Sequence, residues 1–113
     1  MTTYAVAHLR NVRMSPEIIE YLKSIDDTLA LFNGRSIIHG GVKQELEGHF
    51  ADDLIVLALP DRRSANDWYR SDAYQAILAK RLSTSEGEIF LIDGVDKTHR
   101  ATDILAREPG AVA

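Results

Sequence analysis

The sequence contains no cysteine. That excludes disulfides, thiolate metal ligands and cysteine nucleophiles together, and it agrees with a reducing compartment. Positive charge is also short: 13 Lys and Arg face 17 Asp and Glu, leaving a net charge of -4. No basic field exists to attract a nucleic-acid backbone or an anionic membrane surface. The adjacent basic pairs Arg62-Arg63 and Lys80-Arg81 fall short of a patch. Long apolar runs are missing too, and the longest is far too short to span a bilayer. The opening residues, Met1-Thr2-Thr3-Tyr4, pass straight into a strand pattern without a charged-then-apolar leader. The expectation is a cytoplasmic protein with no nucleic-acid or membrane partner.

What is present fits one soluble domain. The chain has 113 residues, 45% hydrophobic and 27% charged, enough for a single modest core. Tyr4 to Leu9 alternates and reads as a strand. Ser15-Pro16-Glu17 is a helix start: a capping hydroxyl, a proline suited to the first turn, and an acid for the positive end of the dipole. Ile18, Ile19, Leu22, Ile25 and Leu29 then share one helical stripe, and Asn33-Gly34 closes it. Arg35 to His39 is a second strand before Gly40-Gly41, and Val42 to Glu47 either extends it or begins another. Asp52-Asp53 turns the chain into an uninterrupted apolar strand, Leu54 to Leu59. A helix from Arg63 to Arg70 carries Ala65, Trp68 and Tyr69 on one side. Ser71-Asp72 caps a further helix with Tyr74, Ile77, Leu78 and Leu82 inward. Glu86-Gly87 turns into a last strand, Glu88 to Asp93.

The order β-α-β-β-α-β is the ferredoxin-like split unit, an α+β fold with an antiparallel sheet. Such a sheet, wet on one face, should alternate apolar and polar residues. Here Leu54, Val56 and Ala58 are as apolar as Ile55, Leu57 and Leu59, and Phe90 and Ile92 as apolar as Ile89 and Leu91. Both faces therefore read as buried. Helices cover one, and a second copy of the chain is the expected cover for the other, giving a homodimer through the open sheet face. Residues 1–95 form the domain. The polar segment 96–113 is a tail, with a short helix from Thr102 to Arg107, and the partner subunit is a candidate to hold it.

The chemistry-bearing residues are few. His8, His39, His49 and His99 lack the helical or strand spacing of metal ligands, so neither a metal nor a cofactor is expected. His8, His39 and His49 are the ones the fold could bring together. Gly40-Gly41 lacks the further glycines and the following helix of a phosphate loop, so a bulge or tight turn is the expectation. Glu47, beside Gly48 and ahead of a buried strand, is either a candidate general base, partly buried in a cleft with His39 as the orienting donor, or a solvated loop acid or salt-bridge partner of Arg35 or Arg81. Trp68, Tyr69 and Tyr74 are either the apolar face of the second helical region or flat walls of a small-molecule pocket. Arg35 joins them as a ligand-binding candidate.

Asn33-Gly34-Arg35, His39-Gly40-Gly41, Leu46-Glu47-Gly48, Leu59-Pro60, Ala65, Trp68-Tyr69, Ser71, Tyr74-Gln75 and Ile92-Asp93-Gly94 together resemble the small bacterial family called domain of unknown function 1330. The resemblance runs from Tyr4 to Gly94. The family usually has arginine before the Gly-Gly pair, where this chain has His39, and commonly reads phenylalanine-proline-serine in place of Leu59-Pro60-Asp61. The resemblance implies the dimeric α/β-barrel, ferredoxin-like superfamily. That superfamily includes cofactor-independent monooxygenases, isomerases, haem-binding enzymes and stress-response proteins. The function expected is binding or transformation of a small organic molecule in a pocket between sheet and helices, without a cofactor. The alternative is a non-catalytic dimeric structural or stress-response module.

Overall fold

The computed structural model describes residues 1–106. Four strands form one antiparallel sheet: β1 (Thr3–Arg10), β2 (Arg35–Ile38), β3 (Asp53–Leu59) and β4 (Glu86–Asp93). Their spatial order is β2-β3-β1-β4. Three helices, α1 (Pro16–Ala30), α2 (Arg62–Arg70) and α3 (Asp72–Leu82), cover one face, and a short 3-10 helix follows at Ala101–Ala106. This is the α+β, ferredoxin-like arrangement the element order implies.

The central strand sets the layering. Alternate β1 residues Thr3, Ala5, Ala7 and Leu9 are buried, and the residues between them are half-buried. Register places Ala5 between Leu57 and Leu91, and Ala7 between Ile55 and Ile89, so these six point to the helices. Ala5 leaves room for α2 to approach, while Ala7 opens beneath α1. The core gathers Leu57, Leu59, Ile18, Leu29, Trp68 and Tyr74 against this face. The opposite face is uncovered: Phe90 is 50% and Ile92 51% exposed.

Several local expectations are corrected. Ser15 stands at the N-cap of α1, but its hydroxyl makes no capping bond; Pro16 and Glu17 carry the start. The left-handed residue that ends α1 is Asn33 (φ 58), not Gly34. Gly34 is favoured for a different reason. A Cβ there would sit 3.1 Å from side-chain atoms of both Leu29 and Leu59. The stripe on α1 is carried by Ile18, Tyr21, Ile25, Thr28 and Leu29, whereas Ile19 and Leu22 lie at its exposed margin. Val42 to Glu47 forms no strand. Glu86 and Gly87 already belong to β4, and Ser83 and Thr84 make the turn. Leu82, expected inward, is 60% exposed.

The break between α2 and α3 is built as expected. The Ser71 hydroxyl accepts from the Tyr74 amide at 3.1 Å and donates to the Trp68 carbonyl at 2.7 Å. The Asp61 carboxylate caps α2 through the Ser64 amide at 2.7 Å. No helix among the described residues is long and apolar enough to cross a membrane. Of the 96–113 tail, residues 107–113 lie outside the described residues, and the Ala101–Ala106 turn buries nothing.

Candidate functional site

A cleft of about 1000 Å³ opens between the helix-facing side of the sheet and α1, under the connecting segment 39–52. Ala7, Leu9, Leu57 and Ile89 form its floor, Ile18, Leu22 and Ile25 its α1 wall, and His39 to Glu47 its rim. Size and apolar lining are those of a small-molecule site.

The segment over the cleft is tied down by its own polar groups. Glu45 accepts from the Phe50 amide at 2.6 Å and pairs with His49 at 2.8 Å. Lys43 donates to the Asp52 carbonyl at 2.6 Å, with its ammonium 5.2 Å from the Phe50 ring centre. His8 Nε2 lies 2.8 Å from Asp52, which fastens the end of the segment to β1. The histidines are thus not gathered: His8 pairs with Asp52, His49 with Glu45, and His39 stands on the rim. Among the described residues no group of three or more His, Asp or Glu side chains is placed to hold a metal ion.

The deep end of the cleft is polar and was not singled out from the sequence. Tyr21 of α1 and Arg81 of α3 both line it and both are buried. The Tyr21 and Tyr74 hydroxyls meet at 2.8 Å. Burial pushes the Tyr21 phenol well above its ordinary value, and Tyr74 pushes it further. The Arg81 guanidinium acts the other way, its positive charge favouring the ionised phenol. A signal was available: Tyr74, Ile77 and Arg81 fall at i, i+3 and i+7, so Arg81 continues the buried stripe of α3. In the sequence it stands out only as half of the basic pair Lys80-Arg81.

The residues named from the sequence separate into three places. Glu47 and His39 are on the rim, both exposed, so the expected partial burial of Glu47 is not found in the chain. Glycine at 48 does adopt a left-handed turn (φ 70), but it leaves the carboxylate in solvent. Among the described residues Glu47 makes no ion pair with Arg35 or Arg81. Trp68 and Tyr74 are fully buried, with ring centres 4.3 Å apart, and neither lines the cleft. Tyr74 reaches it only through its hydroxyl contact with Tyr21. Tyr69 is half-buried beside a smaller groove with Asn66 and the β4 residues Ile89 to Leu91. Arg35 pairs opposite Ala58, which turns it to the uncovered face of the sheet.

Known proteins agree with the fold. RPA0582, a protein of unknown function from Rhodopseudomonas palustris, superposes with a TM-score of 0.63 at 12% identity, over 84% of this chain and 83% of that one. SnoaB, a cofactor-independent oxygenase from Streptomyces nogalater, superposes with a TM-score of 0.56 at 13% identity, over 88% of this chain and 98% of that one. HapK from Hahella chejuensis gives 0.55 at 13%, over 89% and 99%. At these identities the likeness is one of fold. No curated protein matches the sequence. Residues 2–95 match a family over nearly the whole described chain, and the protein belongs to that family, described as Domain of unknown function (DUF1330).

Proposed function

We propose that the cleft binds a small organic molecule with an apolar body. The observation that carries this reading is the cleft itself, about 1000 Å³, with an apolar floor and polar groups confined to its deep end and rim. The shared fold with SnoaB, a cofactor-independent oxygenase, supports extending the reading to an enzyme that works with its own side chains. In that extension Glu47 is the proton acceptor and His39 the donor, both reaching a bound molecule from the rim. The second reading, a non-catalytic dimeric module, draws support from the Trp68–Tyr74 pair, which is packed core rather than pocket wall. Both readings include a homodimer through the uncovered sheet face and a cytoplasmic setting, the latter resting on the sequence alone.

The test is titration of the isotope-labelled chain with Nile red, a neutral apolar dye, followed by amide NMR and dye fluorescence. Binding should enhance fluorescence and shift amides of Ile18, Leu57 and Ile89. The cleft-filling variant Leu22→Trp should abolish both. Dye binding that Leu22→Trp leaves unchanged, or no binding, overturns the reading.

A further inference from the structure

We infer that the deep end of the cleft is an anion subsite, with Arg81 as its anchor, and that the ligand is an aromatic or other apolar acid whose carboxylate, or equivalent oxyanion, docks there. This deepens the small-molecule reading above and rests on it. Arg81 is only 6% exposed and yet lines the cleft. Among the described residues no carboxylate lies within ion-pairing distance of it, and its Nε is buried without a hydrogen-bond partner. Arginine keeps its proton in proteins, so the group enters the interior as a cation. A buried charge is costly unless it is paired. The planar fork of donors matches a carboxylate with two parallel bonds.

The neighbouring groups complete a site selective for anions. Tyr21 sits in the same wall, where the Arg81 charge favours negative charge on its oxygen, and Tyr74 stands 2.8 Å behind it. With Tyr74 donating to Tyr21, the Tyr21 hydrogen is free to turn toward a ligand oxygen. The apolar floor of Ala7, Leu57 and Ile89 lowers the local dielectric beside the pair, which strengthens a charge-assisted bond. The acids Glu45, Glu47 and Asp52 line the mouth rather than the deep end, so the field reverses along the cleft and orients an amphiphilic acid with its charge inward.

The experiment uses a matched pair, 2-naphthoate and neutral 2-naphthamide, titrated into the full labelled chain by calorimetry and by NMR of arginine side chains. Both should shift the cleft amides, with naphthoate binding at least tenfold more tightly. The Arg81 Nε–H resonance should move with naphthoate and stay with naphthamide. Arg81→Met should erase the preference while retaining naphthamide. If that variant fails to fold, the wild-type ratio and the Arg81 resonance decide, and Tyr21→Phe, which keeps the guanidinium, should reduce the preference severalfold. Equal affinity for both probes in the wild type, or a preference that survives Arg81→Met, overturns the anion subsite and leaves the cleft reading standing. Failure of both probes to bind overturns both.

Discussion

Trp68 donates its indole hydrogen to the Thr28 hydroxyl over 3.0 Å, and Thr28 passes its own hydrogen to the Ile25 carbonyl at 2.7 Å. Both residues are buried. The relay fixes α2 against α1 and leaves the indole with no donor to offer a ligand, which places Trp68 in the core. Trp68→Ala should therefore cost about 3–5 kcal/mol in chemical denaturation, the usual loss for a large buried aromatic. Thr28→Val keeps the volume and orphans the indole hydrogen, and should cost about 1–3 kcal/mol. A loss below about 1 kcal/mol for Trp68→Ala would move that ring out of the core.

The second buried polar contact, Tyr21 with Tyr74, joins α1 to α3. Tyr21→Phe and Tyr74→Phe each leave one hydroxyl buried and unpaired, for about 1–3 kcal/mol each. Removing both should cost less than the sum, because nothing is then left unpaired. A double-mutant cycle in urea gives the coupling, and strict additivity would show that the hydroxyls do not interact.

The two contacts also show what was legible. Element order, the α2–α3 break and the core position of Ala65, Ile77 and Tyr74 follow from periodicity and from Ser71, because those signals are local. Tyr21 and Thr28 escaped notice because a polar atom on an otherwise apolar helical face reads as a margin, and only the partner helix shows that each has a partner. Arg81 escaped for the same reason. The segment 39–52 was opaque because its order comes from side-chain bonds, Glu45 with Phe50 and His8 with Asp52, that no backbone period announces. Gly48 and the buried strand ahead point Glu47 inward, yet the segment runs along the surface, where even Leu46 is exposed.

Asp93 ties the end of β4 to the start of β1 and to the start of α2. It accepts from the Thr3 hydroxyl at 2.9 Å and pairs with Arg62 at 3.0 Å. The Thr3 bond first, then Arg62, hold its carboxyl below the ordinary 3.8. Glu88 is lowered in the same way, from 4.5, chiefly by its hydrogen bond with Arg10. A depressed folded value stabilises above the unfolded value and is lost as pH falls through the folded one. The urea midpoint should therefore hold level down to roughly pH 5 and fall below about pH 4. Asp93→Asn should flatten part of that acid slope. A midpoint that rises on acidification, or an unchanged slope in the variant, contradicts this account.

Gly87 is the tightest backbone approach in the sheet. Its φ is +143, and a Cβ there would lie 1.9 Å from the His8 carbonyl oxygen. The clash is with backbone, so no side chain can move aside. Gly87→Ala should cost about 1–3 kcal/mol or more, as overpacking does. Gly41, which meets nothing within 4 Å, is the control. Gly41→Ala should be nearly neutral in the same denaturation series, and equal effects would mean that the β1–β4 register is not the one described.

The uncovered sheet face makes the last prediction. Its centre is apolar, with Val6, Val56, Phe90 and Ile92, while His8, Arg10 and Glu88 form a polar end held by Arg10–Glu88 bonds of 2.8 and 3.0 Å. An apolar centre with a polar margin is the anatomy of a protein interface, and exposed apolar area of this kind is uncommon on a monomer. A second copy offers the same face in return, so two-fold pairing buries Phe90 and Ile92 on both chains and should remove more than about 1,000 Å² in all. Light scattering at micromolar concentration should give two chain masses. Phe90→Glu combined with Ile92→Lys should give one, with the circular dichroism spectrum retained, because neither residue belongs to the core. A single chain mass for the wild type would leave the outer face without a second copy.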